Sequence, residues 1–159
     1  MAKKMKANDI KNIAKKEFAY KKVVVTSNTN QEFTVQIQEK LNDTKISELV
    51  ISLLERSDYC TKNNIEFNII QNIYFMLIKY FTDIQFNTYD DLEKTYNHEL
   101  TTLNALVDLD LFNQIIGYFN QESLIKVQEM FEKYSKQLEP LINNEIKNAL
   151  KEDEEDAIV

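Results

Sequence analysis

Apolar positions along this chain recur mostly at helical spacing, with one stretch at strand spacing. The most apolar run is Ile65–Phe86, IEFNIIQNIYFMLIKYFTDIQF. Placed on a helix, Ile69, Ile70, Ile73, Tyr74, Met76, Leu77, Tyr80, Phe81 and Ile84 fall at three- and four-residue steps and make one wide apolar face. Asn68, Asn72, Lys79 and Asp83 form a narrow polar strip opposite, which Phe75 interrupts. A helix this apolar has to be wrapped by others, so it is expected at the centre of the domain.

The strand-like stretch lies earlier. In Glu32–Gln38 (EFTVQIQ), Phe33, Val35 and Ile37 alternate with Thr34, Gln36 and Gln38, the period of a half-buried strand. Lys22–Thr26 (KVVVT) precedes it, and Ser27-Asn28-Thr29-Asn30 between them tolerates turn angles without glycine. The two form a hairpin, which is unstable in water unless other elements cover its apolar face. Before it, Asn8 caps a short helix over Asp9–Glu17 whose apolar edge is only Ile10, Ile13 and Ala14, so it needs a partner or frays.

After the hairpin, Thr44 is the expected cap of a helix over Lys45–Tyr59, with Ile46, Leu49, Val50, Leu53 and Leu54 as its stripe. Thr88 with Asp91 resembles a capping box and opens a helix to about Val107. Asp108 or Asp110 caps a short helix through Ile116, with Gly117 expected as its left-handed cap. Asn120 then caps a long final segment. Leu124, Val127, Phe131, Tyr134, Leu138 and Leu141 make a seam of heptad type along it, and Pro140 is expected to kink or restart the helix.

Composition agrees with a mainly α fold, a helical bundle with an N-terminal β-hairpin at about residues 20–39. One Gly and one Pro in 159 residues leave little of the turn chemistry that larger sheets need. The length fits a single domain over 1–150, followed by an acidic tail at 151–159 expected to be disordered. Cys60 stands alone, so no intramolecular disulfide forms and a reducing cytosol is the simpler setting. No apolar stretch reaches the roughly 20 residues of a membrane span, and MAKKMKANDI lacks the apolar run of a signal peptide.

Candidate chemistry is thin. His98-Glu99-Leu100 begins like the zinc motif H-E-x-x-H, but Thr102 stands where the second histidine belongs. Cys60 has His98 as its only possible imidazole partner for a catalytic pair, and a buried cysteine is the commoner state. Asp108-x-Asp110 opens like a calcium loop, yet Phe112 takes a ligand position and Asn113 the place of the turn glycine. Asp90 and Asp91 sit where first-turn carboxylates stabilise a helix. No glycine-rich phosphate loop exists. The expectation is a protein without enzymatic activity, cofactor or metal.

Charge is distributed unevenly under a net −7. Residues 1–22 carry eight lysines against Asp9 and Glu17, whereas 139–159 carry seven acids against Lys147 and Lys151. Lys3, Lys4, Lys6, Lys11, Lys15, Lys16, Lys21 and Lys22 could meet phosphates, which makes a nucleic-acid-binding regulator the alternative function. Against it, the segment has no arginine for reading bases, and the acidic remainder repels nucleic acid. An acidic protein partner suits the same lysines. Phe75 and Phe86 near the polar side of the central helix, together with the C-terminal seam, raise a groove or patch for a partner helix. The candidate contact residues are Phe75, Lys79, Phe86, Phe131, Tyr134, Leu138 and Leu141. The plainer reading is that neighbouring helices cover them.

One resemblance goes further. NDIKNIAKKEFAYKKVVV, the strand EFTVQIQEK and the helix opening DTKISELV, together Asn8–Leu54, resemble tail assembly chaperones of long-tailed phages and prophages of Gram-positive bacteria. The helical remainder is similar in size and character only. The resemblance implies a non-enzymatic protein of the bacterial host cytoplasm. It would shield the helical tape-measure protein and recruit the major tail protein, whose subunits form the tail tube. Homo-oligomers are compatible with that role; a membrane has no part in it. Many such proteins occur in a short form and a frameshifted long form; if that applies, this chain would be the short one, with Lys151–Val159 near the junction.

Overall fold

The computed structural model of the protein describes residues 1–137. The elements run α1 (Ala7–Glu17), β1 (Tyr20–Thr26), β2 (Glu32–Gln38), α2 (Asp43–Lys62), α3 (Ile69–Phe81), α4 (Leu92–Asp108), α5 (Phe112–Ile116) and α6 (121–137). This is the expected mainly helical bundle with an N-terminal hairpin. The expected acidic tail and the Pro140 kink lie outside the described residues.

α3 is the centre. Ile73, Phe75, Met76, Leu77, Ile78 and Phe81 are all buried, joined by Ile46, Leu49, Val50 and Leu53 of α2, Leu103 of α4, Ile115 of α5 and Val127 of α6. Burial of such side chains contributes roughly 1.5–3 kcal/mol each before entropy is counted. The helix is shorter than its apolar run. It starts at Ile69 because the Asn68 side chain caps it, accepting from the Gln71 N–H at 3.1 Å. It stops at Phe81 because the chain finds a better partner than another helical turn. Thr82 is extended and bridges Ile37, and Asp83 exchanges two hydrogen bonds with Gln36 of β2. Residues 82–86 are therefore not helical, contrary to the sequence reading.

β1 and β2 pair antiparallel in the register Val23↔Val35, with Val25↔Phe33 and Lys21↔Ile37 on the same face. Val23, Val25, Val35 and Ile37 enter the common core, which supplies the cover a lone hairpin needs. Phe33 shares that face but sits at the turn end, 37% exposed. Gln38, expected outside by alternation, is buried. Its amide donates to the Lys40 carbonyl and the Asn42 side chain, so the loop folds over it.

Capping differs in detail from expectation. α1 starts after Lys6 rather than Asn8, has no side-chain cap and buries no residue, which fits its marginal apolar edge. α2 starts after Asn42 rather than Thr44, and the Asn42 side chain serves Gln38 instead of the helix. α4 is capped by Asp91, which accepts from Glu93 and Lys94, while Thr95 bonds back to Tyr89. Gly117 is right-handed (φ −61°), not a left-handed cap. The left-handed positions among the described residues are Asn30, Asn64 and Asp110, each an asparagine or aspartate at a turn. α5 is preceded by Leu111, so Asp110 acts through its backbone angle and not as a cap.

α6 begins where Asn120 accepts from the Ser123 N–H at 2.8 Å. Val127 is fully buried, and Leu124, Phe131 and Tyr134 pack against the core, so the described part of the seam faces its own domain. Lys126 adds an ion pair to Asp43 at the start of α2.

Candidate partner-binding site

The two ends of the polar strip, Asn68 and Asp83, are exposed, whereas Asn72 and Lys79 in its middle are half-buried. The side chain that meets this middle part is Arg56 of α2, the only arginine in the chain. Arg56 donates to Asn72 and to Glu99, and Lys79 donates to the other oxygen of Glu99. The Arg56 and Glu99 side chains are 8% and 3% exposed, so the pair is taken out of water and each charge depends on the other. The guanidinium also lies 4.5 Å from the Tyr96 ring centroid and 5.3 Å from that of Phe75.

This arrangement decides the fate of Phe75. It is fully buried, between Arg56 on one side and Phe86, edge-on at 5.2 Å, on the other. Phe75 therefore offers nothing to a partner, and its place in the polar strip reflects a buried ion pair, not an exposed patch. Phe86 is half-buried on it. Lys79 is held by Glu99. A small cleft of about 130 Å³ opens beside this cluster, lined by Ser52, Arg56, Tyr59, Lys79, Tyr96 and Glu99 among others.

Cys60 and His98 each have other partners. Cys60 is fully buried against Tyr96, whose hydroxyl is pushed above its ordinary range by burial and then by hydrogen bonding to Cys60. His98 accepts from the Asn87 N–H at 3.2 Å and meets the Tyr89 ring edge-on at 5.7 Å. Among the described residues, no group of three or more His, Cys, Asp or Glu is placed to hold a metal. No helix among them is long and apolar enough to cross a membrane.

A larger feature lies on another face. A groove of about 450 Å³ runs between the end of α2, the start of α3 and α6. Phe67, Ile69, Ile70, Ile73 and Phe131 give it an apolar floor, and Ser57, Gln128, Glu132 and Ser135 give it a polar rim. Ile70 is 62% exposed, although it lies on the apolar face of the central helix. Of the sequence candidates, Phe131 lines the groove and Tyr134 follows it by one helical turn, half-buried. Leu138 and Leu141, next along the same stripe, lie outside the described residues. Sequence reasoning missed Phe67 and Ile70 as surface residues, since their spacing reads as core.

Neither a curated protein nor a solved structure matches the chain. The YomO family matches it over residues 7–158, nearly its whole length. The chain therefore belongs to the YomO family, a family name associated with phages and prophages.

Proposed function

We propose that the protein is a non-enzymatic tail assembly chaperone that holds an apolar helical segment of the tape-measure protein in the groove between α3 and α6. The observation that carries this reading is the open apolar floor of Phe67, Ile69, Ile70, Ile73 and Phe131 beside a polar rim. An amphipathic helix lays its apolar face into such a groove and leaves its polar face to the rim. The phage association of the family name and the likeness of Asn8–Leu54 to tail chaperones support the choice of partner. In this role the groove covers apolar surface that would otherwise associate with itself. Recruitment of tail-tube subunits by another face of the same molecule belongs to the proposal.

Co-expression with the tape-measure protein of the same gene cluster tests it. The expected result is a soluble complex that co-purifies. A tape-measure protein whose solubility is unchanged, with no complex, overturns the proposal.

A second reading keeps one observation in its favour: every lysine from Lys3 to Lys22 is exposed. Salt-sensitive binding to duplex DNA, lost on deletion of 1–22, supports nucleic-acid recognition, and no binding at low salt removes it.

A further inference from the structure

The hairpin turn fixes which backbone groups of β1 point away from β2. Ser27 donates its N–H to the Gln31 carbonyl at 2.8 Å, so these two are a hydrogen-bonded pair. Such pairs alternate along an antiparallel ladder. With the observed register, Val25↔Phe33, Val23↔Val35 and Lys21↔Ile37 are the other bonded pairs. Lys22, Val24 and Thr26 therefore turn both their N–H and C=O to the outer edge of β1.

Two independent contacts agree with this assignment. Thr26 bonds outward through both groups to one side chain, its N–H to Gln114 Oε1 at 3.1 Å and its C=O to Gln114 Nε2 at 2.7 Å. On the other strand, Gln36 sits opposite Lys22 and also turns outward. Its N–H goes to Asp83 Oδ1 at 2.8 Å, and its C=O accepts from the Asp83 N–H at 3.1 Å. The outer edge of β2 is thus met by residues 82 and 83, while that of β1, among the described residues, is met only at Thr26. Among the described residues, no hydrogen-bond partner reaches the outward groups of Lys22 or Val24. Val24 is 56% exposed and Lys22 is exposed beside it.

We propose that the outer edge of β1 receives an extended acidic segment of a partner protein as a third strand. The backbone groups of Lys22 and Val24 supply the ladder, in the manner of strand addition to a free sheet edge. Side chains set the selection. Lys22 and Val24 share the outer face, so an added strand places an acid beside Lys22 and an apolar residue beside Val24. Lysines on a free edge oppose pairing with a like edge, which turns a second copy away and leaves an acidic strand as the fitting occupant. This edge is separate from the α3–α6 groove and does not depend on it.

The test uses the full-length chain, nitrogen-labelled, and a short synthetic peptide in which valine alternates with glutamate and threonine. A control peptide carries lysine for glutamate. Titration with the acidic peptide is expected to shift the Lys22 and Val24 amide signals and slow their hydrogen exchange. Val24→Pro removes one outward donor without touching the ladder to β2, and is expected to weaken binding at least about tenfold. Lys22→Glu, a surface change that leaves the fold alone, is expected to reverse the preference toward the lysine peptide. It decides the matter even if the proline variant unfolds. Ile70→Asp in the groove is expected to leave peptide binding unchanged. Silent Lys22 and Val24 amides, equal binding of both peptides, or a folded Val24→Pro protein that binds as before would overturn the proposal. So would a concentration-dependent dimer that Val24→Pro abolishes, which would assign the edge to a second copy.

Discussion

Arg56 holds its guanidinium 5.3 Å from the ring centroid of Phe75, and this contact explains why an aromatic residue lies within the polar strip of the central helix. Asn72 and Lys79 are polar because they meet a buried charge cluster. Phe75 is apolar because it is the flat surface on which the arginine rests. Both are core residues, and the open apolar surface lies elsewhere, in the groove lined by Ile70 and Phe131.

Breaking the charge cluster on one side should be costly. Glu99→Ala leaves Arg56 buried without its carboxylate, with an expected loss of about 3–5 kcal/mol in urea denaturation. Pairing Arg56→Met with Glu99→Leu removes both charges and should restore most of that stability, since the lone buried charge is what costs. A double variant no more stable than Glu99→Ala would contradict this account of the cluster.

Core and groove should separate cleanly in stability. Phe75→Ala opens a cavity between Arg56 and Phe86 and is expected to lose about 3–5 kcal/mol. Ile70→Ala, at a 62% exposed position, should stay within about 0.5 kcal/mol. Equal losses at the two sites would mean that Ile70 is part of the core.

Alkaline unfolding should report on Tyr96. Burial, then the bond to Cys60, raise its hydroxyl above the ordinary value of 10.0. The unfolded chain therefore releases this proton first. The stability contribution is complete below the unfolded value and declines as pH rises from there through the raised folded value. Tyr96→Phe should flatten the loss of melting temperature on the alkaline side, while leaving the profile near neutrality unshifted in slope.

Much of this fold is legible in the residues, for physical reasons that vary by element. Helical spacing in α2, α3 and α4 and strict alternation in β2 report burial directly, because side-chain direction follows backbone period. The end of α3 was not legible. Nothing in Thr82-Asp83 announces that β2 offers an edge at that point, and only the tertiary pairing to Ile37 and Gln36 stops the helix. Gln38 and Gly117 failed similarly, one drawn under a loop and the other right-handed because the chain leaves α5 through further right-handed turns, with Tyr118 and Phe119 donating to the Ile115 and Ile116 carbonyls. For the candidate site, Phe131 was legible as a seam residue, whereas Phe75 was misread because Arg56 arrives from a different helix. A lone arginine in an otherwise lysine-only chain was the available signal, since arginine suits buried pairing better than lysine.

The most direct measurement of the groove's role is the amount of tape-measure protein that co-purifies with Ile70→Asp, compared with the unaltered chain and with Ile51→Asp. Ile51 is 55% exposed on α2 and does not line the groove, so its variant controls for a new surface charge. The predicted result is capture by the unaltered chain and by Ile51→Asp, with loss at Ile70→Asp. Capture by Ile70→Asp equal to that of the unaltered chain would contradict the groove as the binding site.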